Sequence, residues 1–226
     1  MTRRAILLGG TGLIGAAVMK LLCQASAYQE VVVISRRAAT LSGSKCRNRV
    51  MPLEQLADAG AEFVGADVFC CLGTTIKQAG SREMFRHVDH DLVVLAAKVA
   101  AENKAARFLV VSAVNASTSG LAFYSKVKGD MERAVGEQGL PLVAFMQPSL
   151  LEGHRQEFRL GEEIGQRVIS LLRPLISWTQ ASWLPISFEV VARAMVSVAL
   201  RGPESGKHRY RYRDMVQLSG KLVLEE

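Results

Sequence analysis

Ala5-Ile6-Leu7-Leu8-Gly9-Gly10-Thr11-Gly12-Leu13-Ile14-Gly15 is the stretch that decides the fold. Its four leading apolar residues read as a buried strand, and Leu13 to Gln24 reads as a helix. The glycines fall between them. Gly10, Gly12 and Gly15 satisfy G-x-G-x-x-G, while Gly9, Gly12 and Gly15 satisfy G-x-x-G-x-x-G. A tight turn needs positive φ, a pyrophosphate needs close backbone approach, and the helix must pack against its strand. The helix N-terminus then offers free N–H groups and a positive dipole end to the phosphates. In a strand–turn–helix context this is a dinucleotide-binding fingerprint. Gly9, Thr11, Gly12, Leu13, Ile14 and Gly15 are therefore expected along the phosphates.

Outward from this unit, short β-branched runs alternate with helical patterns. Val31 to Ser35, Arg49 to Met51, Val68 to Leu72, Phe108 to Ser112 and Leu142 to Met146 read as strands. Glu83 to Glu102 and Ala122 to Glu137 read as helices. Continuous apolar strands separated by helices indicate a parallel sheet covered on both faces, and right-handed crossovers make it doubly wound. Beyond Pro148 the rhythm changes, with helices expected at Ile164 to Leu172 and Phe188 to Leu200 and a basic strand at Lys207 to Arg213. A single domain, 1–226, is expected, with 149–226 forming a small cap and the substrate side. A chain of 226 residues buries roughly 70% of its unfolded surface, enough for one core.

The composition, 49% hydrophobic and 22% charged, excludes disordered and collagen-like classes. Lys and Arg outnumber Asp and Glu by 28 to 21, a balance of +7 that favours anionic partners. Cys23, Cys46, Cys70 and Cys71 form no C-x-x-C pair, so reduced and mostly buried thiols are expected. Arg3-Arg4, an apolar stretch and Ala25-Ser26-Ala27 imitate a secretory signal, but the glycine spacing inside that stretch has its own mechanical meaning. No apolar run reaches the ~18 residues of a membrane span. A cytoplasmic location is expected.

The second strand ends Ile34-Ser35-Arg36-Arg37, where an NAD site would carry an acidic residue for the ribose 2′-hydroxyl. Two guanidinium groups and a hydroxyl suit a 2′-phosphate instead, since Arg forks pair bidentately with phosphate. NADP(H) is thus the expected cofactor. Tyr124 and Lys128 stand i,i+4 at the start of a helix and share one face. An ammonium beside a phenol favours the phenolate, so Tyr124 suits general acid–base work on a carbonyl or alcohol oxygen.

Together these residues resemble the extended or atypical short-chain dehydrogenases/reductases. Val68-Phe69-Cys70-Cys71-Leu72-Gly73-Thr74-Thr75 is similar to the D-V-x-F-C-C-L-G-T-T segment of the Tat-interacting oxidoreductase-like family. Tyr124 to Asp130 resembles its Y-x-x-V-K-G-E, and Pro148 to Gly153 and Pro185 to Ala194 resemble its R-P-x-x-L-x-G and V-A-R-A-M segments. The resemblance implies a Rossmann fold binding NADP(H), with Tyr124 and Lys128 as the catalytic pair and Ser112, which matches the family's first serine, as a third catalytic residue. It also places Leu72, Gly73, Thr74 and Pro148 on the cofactor. Three positions depart from the pattern. Ala113 fills the place of the expected second serine, Asp89 stands where extended reductases often carry asparagine, and Gln147 replaces an arginine.

Other features are set aside. His87, His90 and Asp91 share a helical face without a further ligand at metal spacing, and no metal is expected. His154 and His208 are isolated. Lys207 to Arg213 alternates basic and aromatic residues, which fits an edge strand better than a nucleic-acid surface. Leu171 to Leu184, with Trp178 and Trp183, is expected to line the substrate cleft or pack a cap rather than form an interfacial patch for a membrane or partner. Two readings remain. One is a reductase of a small carbonyl substrate, acting as monomer or homodimer. The other is an NADPH-binding regulatory protein that acts through a protein partner.

Overall fold

The computed structural model describes residues 3–152 and 184–223. Its main sheet has seven strands: β1 (Arg3–Leu8), β2 (Tyr28–Ser35), β3 (Cys46–Val50), β4 (Asp67–Cys70), β5 (Arg107–Val111), β6 (Leu142–Met146) and β9 (Gly206–Tyr210). Their order is β3-β2-β1-β4-β5-β6-β9, and every neighbouring pair is parallel. The order reverses between β1 and β4, the point where open α/β sheets bind ligands. A small parallel pair, β7 (Leu151–Glu152) with β8 (Ile186–Ser187), lies apart.

Alternation along the strands builds the two layers. Ala5 and Leu7 face one core with Val31, Val33, Phe69 and Ala144. That core is closed by α1 (Leu13–Gln24), α6 (Phe188–Arg201) and Met215 of α7 (Tyr212–Lys221). Ile6 and Leu8 face the other core, with Val32, Val68, Phe108 and Phe145. There the cover is a 3-10 segment (Leu53–Phe63), α4 (Leu92–Glu102) and α5 (Phe123–Gly136). Burial on both faces explains why these strands read as unbroken apolar runs. The doubly wound sheet expected from the sequence is the one observed.

Local differences have identifiable causes. The helix expected from Glu83 to Glu102 is three pieces: α3 (Arg82–Arg86), a π turn (His87–Asp91) and α4. Ahead of them, α2 (Ile76–Ala79) starts from Thr75, whose side chain caps Gln78 N–H. The 3-10 segment has no counterpart in the sequence reading. Its buried Leu53, Leu56, Ala59 and Phe63 recur mainly at threes, which matches three residues per turn rather than 3.6. The basic strand ends at Tyr210, and Tyr212 already belongs to α7, whose buried Met215 and Ser219 are four apart. β9 forms an edge of the sheet. The expectation of reduced thiols is corrected for one pair. Cys23 at the end of α1 and Cys46 at the start of β3 are joined by a disulfide, with Cα atoms 6.6 Å apart. Tertiary folding alone brings these two together. Cys70 and Cys71 are free, and burial pushes the Cys70 thiol up to about 12. The helix expected at Ile164 to Leu172, His154, Trp178 and Trp183 lie outside the described residues.

Candidate cofactor and active site

The glycine loop sits at the carboxyl end of β1. Gly9 has φ of 80°, and a Cβ there would stand 2.4 Å from the Cys71 carbonyl oxygen. A Cβ on Gly15 would lie 2.1 Å from the Gly9 carbonyl oxygen, and one on Gly10 would lie 2.8 Å from Val33. The fold itself therefore demands these three glycines. Gly12 is different. Its backbone is extended, with φ of −85°, and a Cβ there would meet only the Gly9 carbonyl oxygen at 3.5 Å, an ordinary contact. As N-cap of α1, Gly12 supplies no capping side chain, and the first turn of α1 holds no acidic residue. Among the described residues, no acidic side chain of that turn competes for its amides, which fits a bound phosphate.

On the β2 side, Ser35 is buried and its hydroxyl donates to the Arg37 carbonyl oxygen, shaping the turn that presents Arg36 and Arg37 to solvent. No carboxylate stands at this strand end, from Ile34 to Ala39. On the opposite side of the glycine loop, Cys71 N–H donates to the Leu8 carbonyl oxygen at 2.9 Å and anchors the loop that carries Leu72, Gly73 and Thr74. Thr74 N–H donates to Asp89 Oδ2 at 2.8 Å. The other oxygen of the same carboxylate is 2.7 Å from Lys128 Nζ. Both charged side chains are buried, at 2% and 4% exposure.

Tyr124 precedes Lys128 by one helical turn on α5. Its ring leans on Phe85, with centroids 5.6 Å apart, and is 41% exposed. Its phenol has no hydrogen bond among the described residues. The helix thus brings Tyr124 and Lys128 to one face, with Lys128 fixed and Tyr124 open.

Ser112, expected beside this pair, is placed in another network. Its hydroxyl donates to Glu132 Oε1 at 2.6 Å, which also accepts from Gln147 Nε2 at 2.8 Å. Arg209 Nε donates to Glu132 Oε2 at 2.8 Å while its guanidinium lies over the Phe145 ring. The Ser112 proton is committed to a buried carboxylate. Ala113, at the expected second serine, has no hydroxyl. Pro148 is buried, and its carbonyl oxygen accepts from Val114 N–H at 3.0 Å. His87 pairs with Glu54 at 3.1 Å and His90 with Asp91 at 2.7 Å.

The sequence reading did not place two buried carboxylates that tie these elements together. Asp89 stands in the sequence as a departure and as a fallback acid after Tyr124, whereas its bridging of Thr74 and Lys128 depends on the π turn. Glu132 was legible, because Tyr124, Lys128 and Glu132 recur at i, i+4 and i+8 on one helix.

No protein-family model matches the chain. The chain is 31% identical over 209 residues to rat protein HTATIP2, covering 91% of this chain and 84% of that protein. It is 32% identical over 207 residues to the mitochondrial protein FMP52 of Eremothecium gossypii, covering 89% of this chain and 90% of that one. Among solved structures, it resembles MoeE5 in complex with UDP-glucose and NAD, at a TM-score of 0.65 and 16% identity, covering 97% of this chain and 81% of that one. It also resembles the enzyme WbmG of Bordetella bronchiseptica in complex with NAD, at a TM-score of 0.66 and 13% identity, covering 93% and 73%. At such identities these two likenesses establish the Rossmann-type fold. The fungal relatives, including that of Candida albicans, are named as mitochondrial proteins, and this overturns the expectation of a cytoplasmic one.

Proposed function

The chain belongs to the family of the HTATIP2 and FMP52 proteins, and on that premise we propose that it is an NADP(H)-dependent oxidoreductase of the atypical short-chain dehydrogenase type, reducing a small carbonyl compound. The observation that carries this reading is Gly12. It is the one glycine of the loop that the fold does not require, and its missing side chain leaves the start of α1 open to a pyrophosphate. Arg36 and Arg37 are the groups that take the 2′-phosphate, and the loop with Leu72, Gly73 and Thr74 faces the remainder of the cofactor.

NADPH, when bound, supplies the hydride. The exposed Tyr124 phenol gives its proton to the developing alkoxide oxygen of the substrate. Lys128, held at Asp89, supplies a fixed positive charge one turn away and a donor for the cofactor ribose. Ser112 contributes by holding Glu132 in place rather than by touching substrate.

Purification without added nucleotide, followed by mass spectrometry of whatever the protein retains, tests the cofactor. Calorimetric titration with NADPH and NADH then tests the preference. NADPH is expected to bind more tightly, and equal affinities sink the assignment. A second reading, an NADPH-binding regulatory protein acting through a protein partner, is favoured by the capture of Ser112 and by Ala113. It takes precedence if a broad carbonyl panel shows no oxidation of tightly bound NADPH.

A further inference from the structure

We propose that Asp89 is a positioning residue, one carboxylate that holds the Lys128 ammonium and the Thr74 amide together and so fixes the wall against which the nicotinamide-ribose half of NADP(H) lies. The inference rests on the cofactor reading above and adds a residue to it. Topology assigns the side. With the order β3-β2-β1-β4-β5, Arg36 and Arg37 after β2 mark the adenosine end, so the other half of the dinucleotide extends past β1 toward β4 and β5. Thr74 follows β4, and Lys128 is on the helix that follows β5.

Two contacts make Asp89 the joint between those elements: 2.8 Å to Thr74 N and 2.7 Å to Lys128 Nζ. Gly73 lies against the same carboxylate, and a Cβ there would meet it at 3.4 Å, an ordinary contact. Asp89 is brought inward by the π turn His87–Asp91, and single π turns inside helices frequently mark functional sites. The pair is electrically closed. A buried carboxylate without its cation is disfavoured and would repel the phosphates of the cofactor, while a buried ammonium without its anion has no fixed position. Neither partner is replaceable alone.

The test is calorimetric titration of the full chain with two probes: NADPH, and adenosine 2′,5′-bisphosphate, which carries the adenosine half only. Asp89→Asn keeps the shape and the acceptor for Thr74 N–H but removes the charge. It is expected to weaken NADPH about tenfold while leaving the bisphosphate unchanged, and Lys128→Met is expected to weaken NADPH at least as much. If Asp89 acts through Lys128, the double variant binds NADPH no worse than Lys128→Met alone. Equal weakening of both probes marks a merely structural residue and overturns the proposal, as do additive losses in the double variant. Should Asp89→Asn fold poorly, Asp89→Glu keeps the charge. It is expected to lose less NADPH affinity than Lys128→Met with the bisphosphate unchanged, and parallel losses again overturn the idea. A wild-type chain that binds neither probe overturns the cofactor reading and this proposal with it, whereas a failure confined to the NADPH pattern leaves that reading standing.

Discussion

The carbonyl oxygen of Gly9 lies where a Cβ on Gly15 would have to be, at 2.1 Å. The turn and the first helix are therefore in backbone contact, and neither a rotamer change nor a side-chain shift can relieve an added atom. Gly15→Ala is expected to destabilise the fold by about 1–3 kcal/mol or more, as overpacking does. Gly12→Val, by contrast, should stay folded, losing about 1 kcal/mol at most as a poorer N-cap residue, yet bind no NADPH. Urea titration and fluorescence titration of the two variants check this. Retained affinity in folded Gly12→Val means that the loop is a turn and nothing more.

Arg36 and Arg37 carry the cofactor preference. Replacing both by Ala removes charge-assisted bonds to a 2′-phosphate worth about 1.5–3 kcal/mol each. NADPH affinity should fall toward that of NADH, and NADH affinity should hardly move. Parallel losses for both nucleotides, measured by calorimetry, would show that the arginines bind phosphate without discriminating.

Tyr124→Phe keeps the ring against Phe85 and deletes the transferable proton. Binding of NADPH should persist while carbonyl reduction falls about 10²–10⁴-fold, the usual contribution of general acid–base catalysis. The decay of NADPH absorbance with a carbonyl panel is the measurement. Full turnover in the variant moves the acid elsewhere.

Ser112→Ala separates a structural serine from a catalytic one. The lost bond to the Glu132 carboxylate should cost about 1.5–3 kcal/mol in stability, leaving turnover at 25 °C at the wild-type level. A fall in turnover like that of Tyr124→Phe, without loss of stability, would return Ser112 to the reaction.

Tyr28 sets an alkaline limit. Its phenol donates to Asp67 Oδ2 at 2.8 Å, and burial, reinforced by the Asp67 charge, pushes it well above its ordinary value. The unfolded phenol ionises near 10, while the folded one stays protonated beyond that. The stabilising contribution is thus complete below pH ~10 and is lost as pH rises from there toward the folded value. Tyr28→Phe should be less stable than wild type at pH 8 by about 1.5–3 kcal/mol and show a shallower decline between pH 10 and 11.5. Parallel urea midpoints across that range would remove Tyr28 from the account.

The sheet and its glycine loop were legible because both are local. Apolar runs bounded by turns give strands, and a helix starting at Leu13 directly after Gly12 gives the crossover. Tyr124 and Lys128 were legible for the same reason, as neighbours on one helix. The partner of Ser112 was not legible, because it is Glu132, 20 residues on, itself held by Arg209 from the far edge strand. The Cys23–Cys46 bond and the Asp89 bridge share that character. Each joins elements whose proximity exists only after the crossovers close. The 3-10 segment was missed because its near-threefold spacing matches neither a strand nor an α-helix.

The π turn at His87–Asp91 also governs which changes of length this region can absorb. Each helical residue advances the side chains by near 100°, and this turn takes one residue more than an α turn. Remove that residue and the two flanking helices fall into different phase. Either Asp89 swings away from Thr74 and Lys128, or Leu92, Val93 and Ala96 rotate out of the core that they now fill. Substitutions here are graded events, felt one contact at a time. A one-residue deletion forces a choice between the site and the core, and so this stretch should tolerate a changed letter better than a changed length.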